Sequence, residues 1–124
     1  MKLSITTTGL MKFKLSLPPT LNATYKIGRY KNLYKSRHVK DWETEAGWTL
    51  KKAMKGKKII EEKCWVHIKF CITHPRDIDG SIKLVLDVMQ GFVYINDRQV
   101  KRLIVDIVKV KSNKRVELEV GEKK

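Results

Sequence analysis

Three aspartates and one lysine lie close together in the segment 76–87, whose sequence is RDIDGSIKLVLD. Asp77 and Asp79 are two residues apart, so on an extended chain both carboxylates point to the same side. Asp79 is also a favourable N-cap for the apolar residues that follow. If a helix begins there, Lys83 and Asp87 follow Asp79 at intervals of four residues along one face. The segment therefore predicts a pair of carboxylates at a strand end and a lysine on a helix, which suits a divalent metal ion beside a phosphate.

A fourth acid, Asp97, lies in a predicted turn ten residues after Asp87, and the sequence permits this turn to return close to Asp77 and Asp79. Carboxylates that converge raise one another's pKa unless a cation neutralises them. Oxygen ligands without thiolate or imidazole favour Mg²⁺, with Mn²⁺ as a substitute. Such an ion can activate a water molecule for attack on a phosphate, and Lys83 can hold a phosphate oxygen.

The same residues also have a purely structural interpretation. Asp79, Lys83 and Asp87 can form a ladder of ion pairs on an exposed helix face, with each pair contributing about 0.2–0.5 kcal/mol. Asp77 can simply begin a turn. A D-x-D motif is too common to decide between catalysis and stability without further information.

The chain is strongly basic, with 27 Lys plus Arg against 13 Asp plus Glu in 124 residues and a formal net charge of +14. This length fits one domain, and a surface of this charge attracts polyanions, most often nucleic acid. In the predicted loop 20–32, cations alternate with aromatic residues, which suits either a phosphate backbone or solvent. The cations that we assign to DNA are Lys26, Arg29 and Lys31 in this loop, and Arg76, Lys83 and Arg98 around the acids.

The two cysteines predict neither a disulfide nor a zinc site. Cys64 and Cys71 are seven residues apart in a predicted strand, so they face opposite sides and form no C-x-x-C pair. Free thiols are typical of a reducing cytosol. No apolar run approaches the roughly 20 residues that a membrane span needs, and the N-terminus lacks the apolar region of a signal peptide. We therefore expect a cytoplasmic, nucleoid-associated protein without a membrane partner.

Alternation of apolar and polar residues predicts strands at 11–17, 64–73, 92–95, 102–111 and 115–120, and helical spacing predicts helices at 36–55 and 79–90. The predicted fold is α/β, on the border with α+β. It is a small single domain with a mixed β-sheet flanked by two helices and a C-terminal β-hairpin. Residues 1–10 are predicted to be a flexible N-terminal extension, 11–120 the domain, and 121–124 a fraying tail.

Several motifs resemble the RusA family of Holliday junction resolvases: RDID at 76–79, YINDRQV at 94–100, and LPPTLN at 17–22. The likeness covers residues 11–120. It implies a small homodimeric endonuclease that binds four-way DNA junctions and cuts two opposing strands symmetrically with Mg²⁺. The family's metal-binding aspartates match Asp77, Asp79 and Asp97, and its essential lysine matches Lys83. Asp87 also fits the pattern, as a further candidate ligand.

Two positions depart from the family pattern. Gly80 stands where the family usually has Asn, and Asn96 stands where it often has an acid. These changes bear on metal affinity and rate more than on the type of reaction. Two other functions stay open: a non-catalytic basic nucleic-acid-binding module, and a related nuclease that prefers flaps or forks. Small stand-alone members of the family look phage-like, so a phage or prophage gene is also expected.

Overall fold

The structure, a computed structural model, describes residues 10–19 and 37–123 in full and the backbone of residues 25–27 and 33–35. Its helices are α1 (Arg37–Ala53) and α2 (Asp79–Met89), and a 3₁₀ turn spans Asp97–Gln99. Its strands are β1 (Met11–Leu15), β2 (Tyr25–Ile27), β3 (Leu33–Lys35), β4 (Cys64–Ile72), β5 (Val100–Lys109) and β6 (Arg115–Glu122). None of the helices in these residues is long and apolar enough to cross a membrane.

Four strands form a mixed sheet, as the sequence predicts, and their order is β1-β6-β4-β5. β5 is parallel to β4, whereas β6 is antiparallel to both β4 and β1. The last two strands run in opposite directions and are joined by a short turn, as in the predicted hairpin, with one difference. β4 lies between them, so Cys71 is opposite Val108 on one side and Arg115 on the other. The turn therefore crosses the end of β4, where the Val110 N–H donates to the Ile72 carbonyl at 2.8 Å.

One face of the sheet carries the core, and both helices pack on it. Alternate residues of β4 from Cys64 to Ile72 are buried, and they form one cluster with the buried faces of α1 and α2. Burial of each large apolar side chain contributes roughly 1.5–3 kcal/mol, so the alternation determines which face of the sheet packs against the helices. The Trp42 indole N–H donates to the Ser16 carbonyl at 2.8 Å, which places the start of α1 beside the end of β1.

Two short elements differ from the prediction. The loop expected at 20–32 contains β2, which pairs with β3 through Lys26 and Tyr34, because three residues are too few to show an alternation. The strand expected at 92–95 is a turn in which Tyr94 alone forms isolated bridges. The predicted N-cap of α1, Ser36, lies outside the described residues. Gly91, at φ +86°, follows α2 as predicted, because this conformation suits glycine.

Candidate active site

Asp77 and Asp79 lie between the end of β4 and the first turn of α2. Asp79 is the first residue of the helix, and the N-cap is Ile78, which makes no side-chain capping bond. The prediction that Asp79 caps the helix is therefore wrong by one position. Asp77 takes the acceptor role instead, since its Oδ1 accepts the Asp79 N–H at 3.4 Å. Both side chains are exposed, and within the described residues neither carboxylate forms an ion pair.

Arg76 holds this end of α2 in place. Its Nη2 donates to the Pro18 carbonyl at 2.7 Å and to Ser81 Oγ at 2.8 Å. Ser81 is fully buried, and its hydroxyl donates to the Pro19 carbonyl at 3.5 Å. The Pro-Pro segment that the sequence singles out is thus tied to the first turn of the helix that carries Asp79.

The Arg76 side chain is short of partners. Burial lowers its pKa from the ordinary arginine value, although arginine stays protonated in proteins. Its Nε is buried with no hydrogen-bond partner, and no carboxylate of the described residues pairs with it. Arg76, predicted to bind DNA, therefore has a structural role as well, and it keeps a positive charge in the segment that carries the two aspartates.

The predicted ion-pair ladder on α2 forms in part. Lys83 Nζ lies 3.4 Å from Asp87 Oδ2, and the lysine side chain is 67% exposed. No ion pair joins Lys83 to Asp79 in the part of the chain that the structure describes. An exposed pair of this kind contributes little to stability. Lys83 can therefore leave Asp87 for a phosphate at small cost.

Asp97 lies at the other end of α2. Its N–H donates at 2.8 Å to Oε1 of Gln90, the residue that follows the helix. Asn96 and Gln99 form a capping box around it: Asn96 Oδ1 accepts the Arg98 N–H at 2.9 Å, and Gln99 Oε1 accepts the Asn96 N–H at 2.8 Å. Asn96 thus supplies a structural acceptor where the RusA pattern often has an acid. The N-x-x-Q spacing is a capping signal that sequence reasoning missed.

A buried tyrosine bonds to the backbone of this end of α2. The Tyr94 hydroxyl donates to the Leu86 carbonyl at 2.6 Å, and the side chain is fully buried. Burial raises the pKa of Tyr94 well above its ordinary value, and the charges of Cys64, Asp97 and Asp87 raise it further. Tyr94 was expected as a strand residue and as part of the YINDRQV motif, and its bond to the helix was not predicted.

The length of α2 separates the acids into two groups. The helix has 11 residues, which is roughly 16 Å at 1.5 Å per residue. Asp77 and Asp79 follow the C-terminal end of β4, whereas Asp97 precedes the N-terminal end of β5, and these two strands are parallel. Within the described residues of one chain, no group of three His, Cys, Asp or Glu side chains can hold a metal ion.

The chemistry of the donors still fits Mg²⁺. Asp77 and Asp79 offer exposed carboxylate oxygens, the ligands that this ion prefers, at the positive end of a helix that carries Lys83. What the described part of one chain lacks at this place is a third carboxylate.

The predicted DNA-binding residues are only partly described. Arg98 is exposed and adjoins Asp97 at the C-terminal end of α2. Lys26 lies in β2, of which the backbone alone is described, and Arg29 and Lys31 lie outside the described residues. Their contacts with DNA therefore stay predictions.

A comparison with known families matches residues 16–121 to the family described as Endodeoxyribonuclease RusA. No curated protein matches the chain. The matched range includes Asp77, Asp79, Lys83 and Asp97, which confirms the resemblance seen in the motifs. The family implies an endonuclease that resolves Holliday junctions, acts on branched DNA and is often encoded by phages or prophages. With nearly its whole length matched, the chain belongs to the RusA family of endodeoxyribonucleases.

Proposed function

We propose that the protein resolves Holliday junctions with Mg²⁺, through paired symmetric nicks in two opposing strands. Asp77, Asp79 and Asp97 are the metal ligands of this proposal, and Lys83 binds the scissile phosphate. The observation that carries it is the exposed pair of aspartates at the start of α2, without an ion-pair partner among the described residues, on a helix that presents Lys83. Mn²⁺ is expected to substitute, because its preferred ligands are the same.

Each residue has a distinct task. When bound, Mg²⁺ supplies Lewis-acid stabilisation of the charge on the phosphate. Lys83 donates to a phosphate oxygen on which negative charge builds during the reaction. The N–H groups in the first turn of α2 add a partly positive field at the same place. Arg76 keeps Asp77 and Asp79 in position through its bonds to Pro18 and Ser81.

The third carboxylate comes, in this proposal, from a second copy of the chain. Since α2 holds Asp97 away from Asp77 and Asp79, a homodimer with two-fold symmetry completes two sites, each with Asp97 of the partner subunit. Two sites suit the paired cuts, because a four-way junction offers two opposing strands. The dimer also doubles a formal net charge of +14, which favours a substrate with four converging duplexes.

Cleavage of a synthetic four-way junction tests the proposal. In Mg²⁺, Asp79→Asn should lower the cleavage rate by roughly a thousandfold, since a lost ligand costs several kcal/mol of transition-state stabilisation. Junction binding, measured by gel shift in EDTA, should be unchanged. Asp41→Asn, at an exposed acid of α1, is the matched control and should cleave at the wild-type rate. Cleavage by Asp79→Asn at that rate would sink the proposal.

Two further results would redirect the function. Salt-sensitive junction binding by the wild type without any product in Mg²⁺ or Mn²⁺ would indicate a non-catalytic module. Faster cutting of flaps or forks than of four-way junctions, in a panel of branched substrates, would indicate a related nuclease with another preference.

A further inference from the structure

Trp48 is the most exposed of the large apolar side chains that the structure describes. It lies in the C-terminal half of α1 with 65% of its surface exposed. Lys51 Nζ lies 5.3 Å from the centroid of the indole ring, which is a cation–π distance. Burial of an indole is strongly favourable, so a tryptophan left in solvent beside a cation is a candidate contact surface.

The indole forms one wall of a groove on the surface of α1. The groove has a volume of about 330 Å³, near the lower end of the roughly 300–1,000 Å³ of small-ligand pockets. Phe92, in the turn after α2, packs against Gly47, where a Cβ would lie 3.4 Å from Phe92 Cζ. Because Gly47 has no side chain, there is room for one flat ring beside the two aromatic residues. The groove is lined by Glu43, Thr44, Gly47, Trp48, Lys51 and Phe92.

The same side of α1 is strongly basic. Lys51 and Lys52 follow Trp48 by three and four residues, so they lie on its face of the helix, and both are exposed. Among the described residues, neither forms an ion pair. Lysines in a last turn also suit the helix dipole, but the dipole does not account for an exposed indole beside them. A ligand that has both a flat aromatic ring and a negative charge matches the indole and the lysines together.

We propose that this surface, the Trp48 groove, binds an unpaired nucleobase of the branched DNA. The base stacks on Trp48, and phosphates of the same strand lie along Lys51 and Lys52. The base must be unpaired, because a base within a duplex is already covered by its neighbours. Every base has an aromatic face, so the groove selects an unpaired strand and not a sequence. This inference deepens the proposed function and rests on it for the identity of the ligand.

The Trp48 groove lies at the end of α2 that is followed by Asp97. The Phe92 N–H donates to the Met89 carbonyl at 3.1 Å, which holds Phe92 just beyond the last residue of the helix. Asp97 follows Phe92 by five residues. A strand whose base enters the groove therefore passes the end of α2 where one of the proposed metal ligands lies. The groove thus contributes to recognition of the branch and takes no part in the chemistry.

Removal of the base and of the indole, singly and together, tests the stacking. The first probe is a labelled DNA fork with a single-stranded arm, kept in EDTA so that no strand is cut. The second is the same fork with abasic sites in the arm, which keeps every phosphate. By fluorescence anisotropy, Trp48→Ala should raise the Kd for the first fork by about 5- to 150-fold, the usual cost of one lost base–aromatic stack. On the abasic fork, Trp48→Ala and the wild type should have the same Kd, because no base is left to stack.

Two further variants separate stacking from charge. Thr49→Ala is the matched control, since Thr49 is an exposed neighbour on α1 that does not line the groove. It should bind both forks like the wild type. Lys52→Met should weaken binding of both forks by the same factor. It should also lower the slope of log Kd against log salt concentration by about 0.7, the value for one lost contact to a single-stranded phosphate.

Three results would overturn the inference. The first is a wild type that binds the two forks equally, and the second is a Trp48→Ala protein that loses the same affinity for both. The third is a Trp48→Ala protein with the wild-type Kd for the first fork, which would leave the groove to a protein partner. Asp79→Asn should discriminate between the forks as the wild type does, because binding in EDTA needs no metal ligand. Failure of the proposed chemistry is therefore measured by junction cleavage in Mg²⁺, and failure of the groove by these Kd values.

Discussion

Both ends of α2 are held by side chains that hydrogen-bond to the backbone. The side chain is charged at one end, and the side chains are neutral at the other. At the N-terminal end, the charged Arg76 reaches the Pro18 carbonyl and Ser81. At the C-terminal end, neutral amide side chains form the bonds. Gln90 accepts from the N–H of Asp97. Gln99 donates to the carbonyls of Ile60 and Glu62 at 2.8 and 2.9 Å.

This difference follows the candidate metal ligands at each end. At the N-terminal end, Arg76 brings a positive charge to the segment that carries the neighbouring Asp77 and Asp79. At the C-terminal end, Asp97 is the one ligand of the proposed site, and the nearby Asp87 pairs with Lys83. Neutral amides hold the Asp97 backbone and leave its negative charge undiminished. In the proposed dimer, each end therefore supplies part of the metal site.

The largest effect should come from substituting one acid at each end of α2, in two separate variants of the chain. Asp79→Asn and Asp97→Asn should each lose roughly a thousandfold in junction cleavage. After subunit exchange, their equimolar mixture should regain about a quarter of the wild-type sites, since half of the dimers are mixed and each holds one intact site. These dimers should nick one strand rather than two, which denaturing gels of labelled junctions can show.

A mixture of Asp79→Asn with the double variant Asp79→Asn/Asp97→Asn is the control, because no subunit in it brings an intact Asp79. It should stay inactive. If the first mixture is equally inactive although mixed dimers have formed, the halves belong to one chain.

The second largest effect should be on stability, when the charged side chain of Arg76 is removed. Arg76→Met should lower the free energy of unfolding by about 2–4 kcal/mol, because it removes two hydrogen bonds from a charged donor. Urea unfolding measures this. Lys83→Met is the comparison at the same end, and it should change stability by less than about 0.5 kcal/mol because its ion pair is exposed. Equal losses for both would mean that Arg76 does not hold the segment.

Breaking the neutral support should affect the rate more than the stability. Gln90→Leu removes the acceptor of the Asp97 N–H and should slow cleavage by about 10–100-fold, the usual cost of a lost supporting bond at a metal site. The loss should shrink at high Mg²⁺ if Asp97 is still able to bind. Gln90→Glu keeps an acceptor oxygen and should retain more activity. A Gln90→Leu protein that cleaves like the wild type would show that Asp97 needs no such support.

The smallest effect should come from Tyr94. Tyr94→Phe should cost about 1 kcal/mol near neutral pH, since it removes the bond to the Leu86 carbonyl. Burial holds the pKa of Tyr94 above the ordinary value of 10.0, so above about pH 10 the unfolded chain loses a proton that the folded chain keeps. Wild-type stability should therefore fall more steeply than that of the variant between pH 10 and 11. Urea midpoints that fall equally with pH in the wild type and in Tyr94→Phe would contradict this.

Local sequence patterns predicted which face of each strand and helix is buried, but they did not predict which strands lie next to each other. The alternation in β4 and the helical spacing in α2 are properties of adjacent residues, and the structure confirms both. That β4 lies between β5 and β6 depends on which strands meet, and no residue pattern within either strand encodes it.

The candidate site shows the same limit. The spacing of Asp77, Asp79 and Lys83 could be read from the chain, because it is local. The bond from Arg76 to Pro18 joins residues 58 positions apart, so it could not. The position of Asp97 at the far end of α2 follows from the parallel pairing of β4 and β5, which the sequence left undecided.

The hydrogen bond between Arg76 and the Pro18 carbonyl has a practical consequence for shortened versions of the chain. Deleting the residues up to Pro19 would touch none of the four acids, yet it would remove β1 from the sheet together with both carbonyls that Arg76 and Ser81 bind. The guanidinium would then be free to pair with Asp77 or Asp79 and compete with the metal. The loss of activity would then come from a segment that contributes no catalytic group, through the lost strand as well as through the released guanidinium.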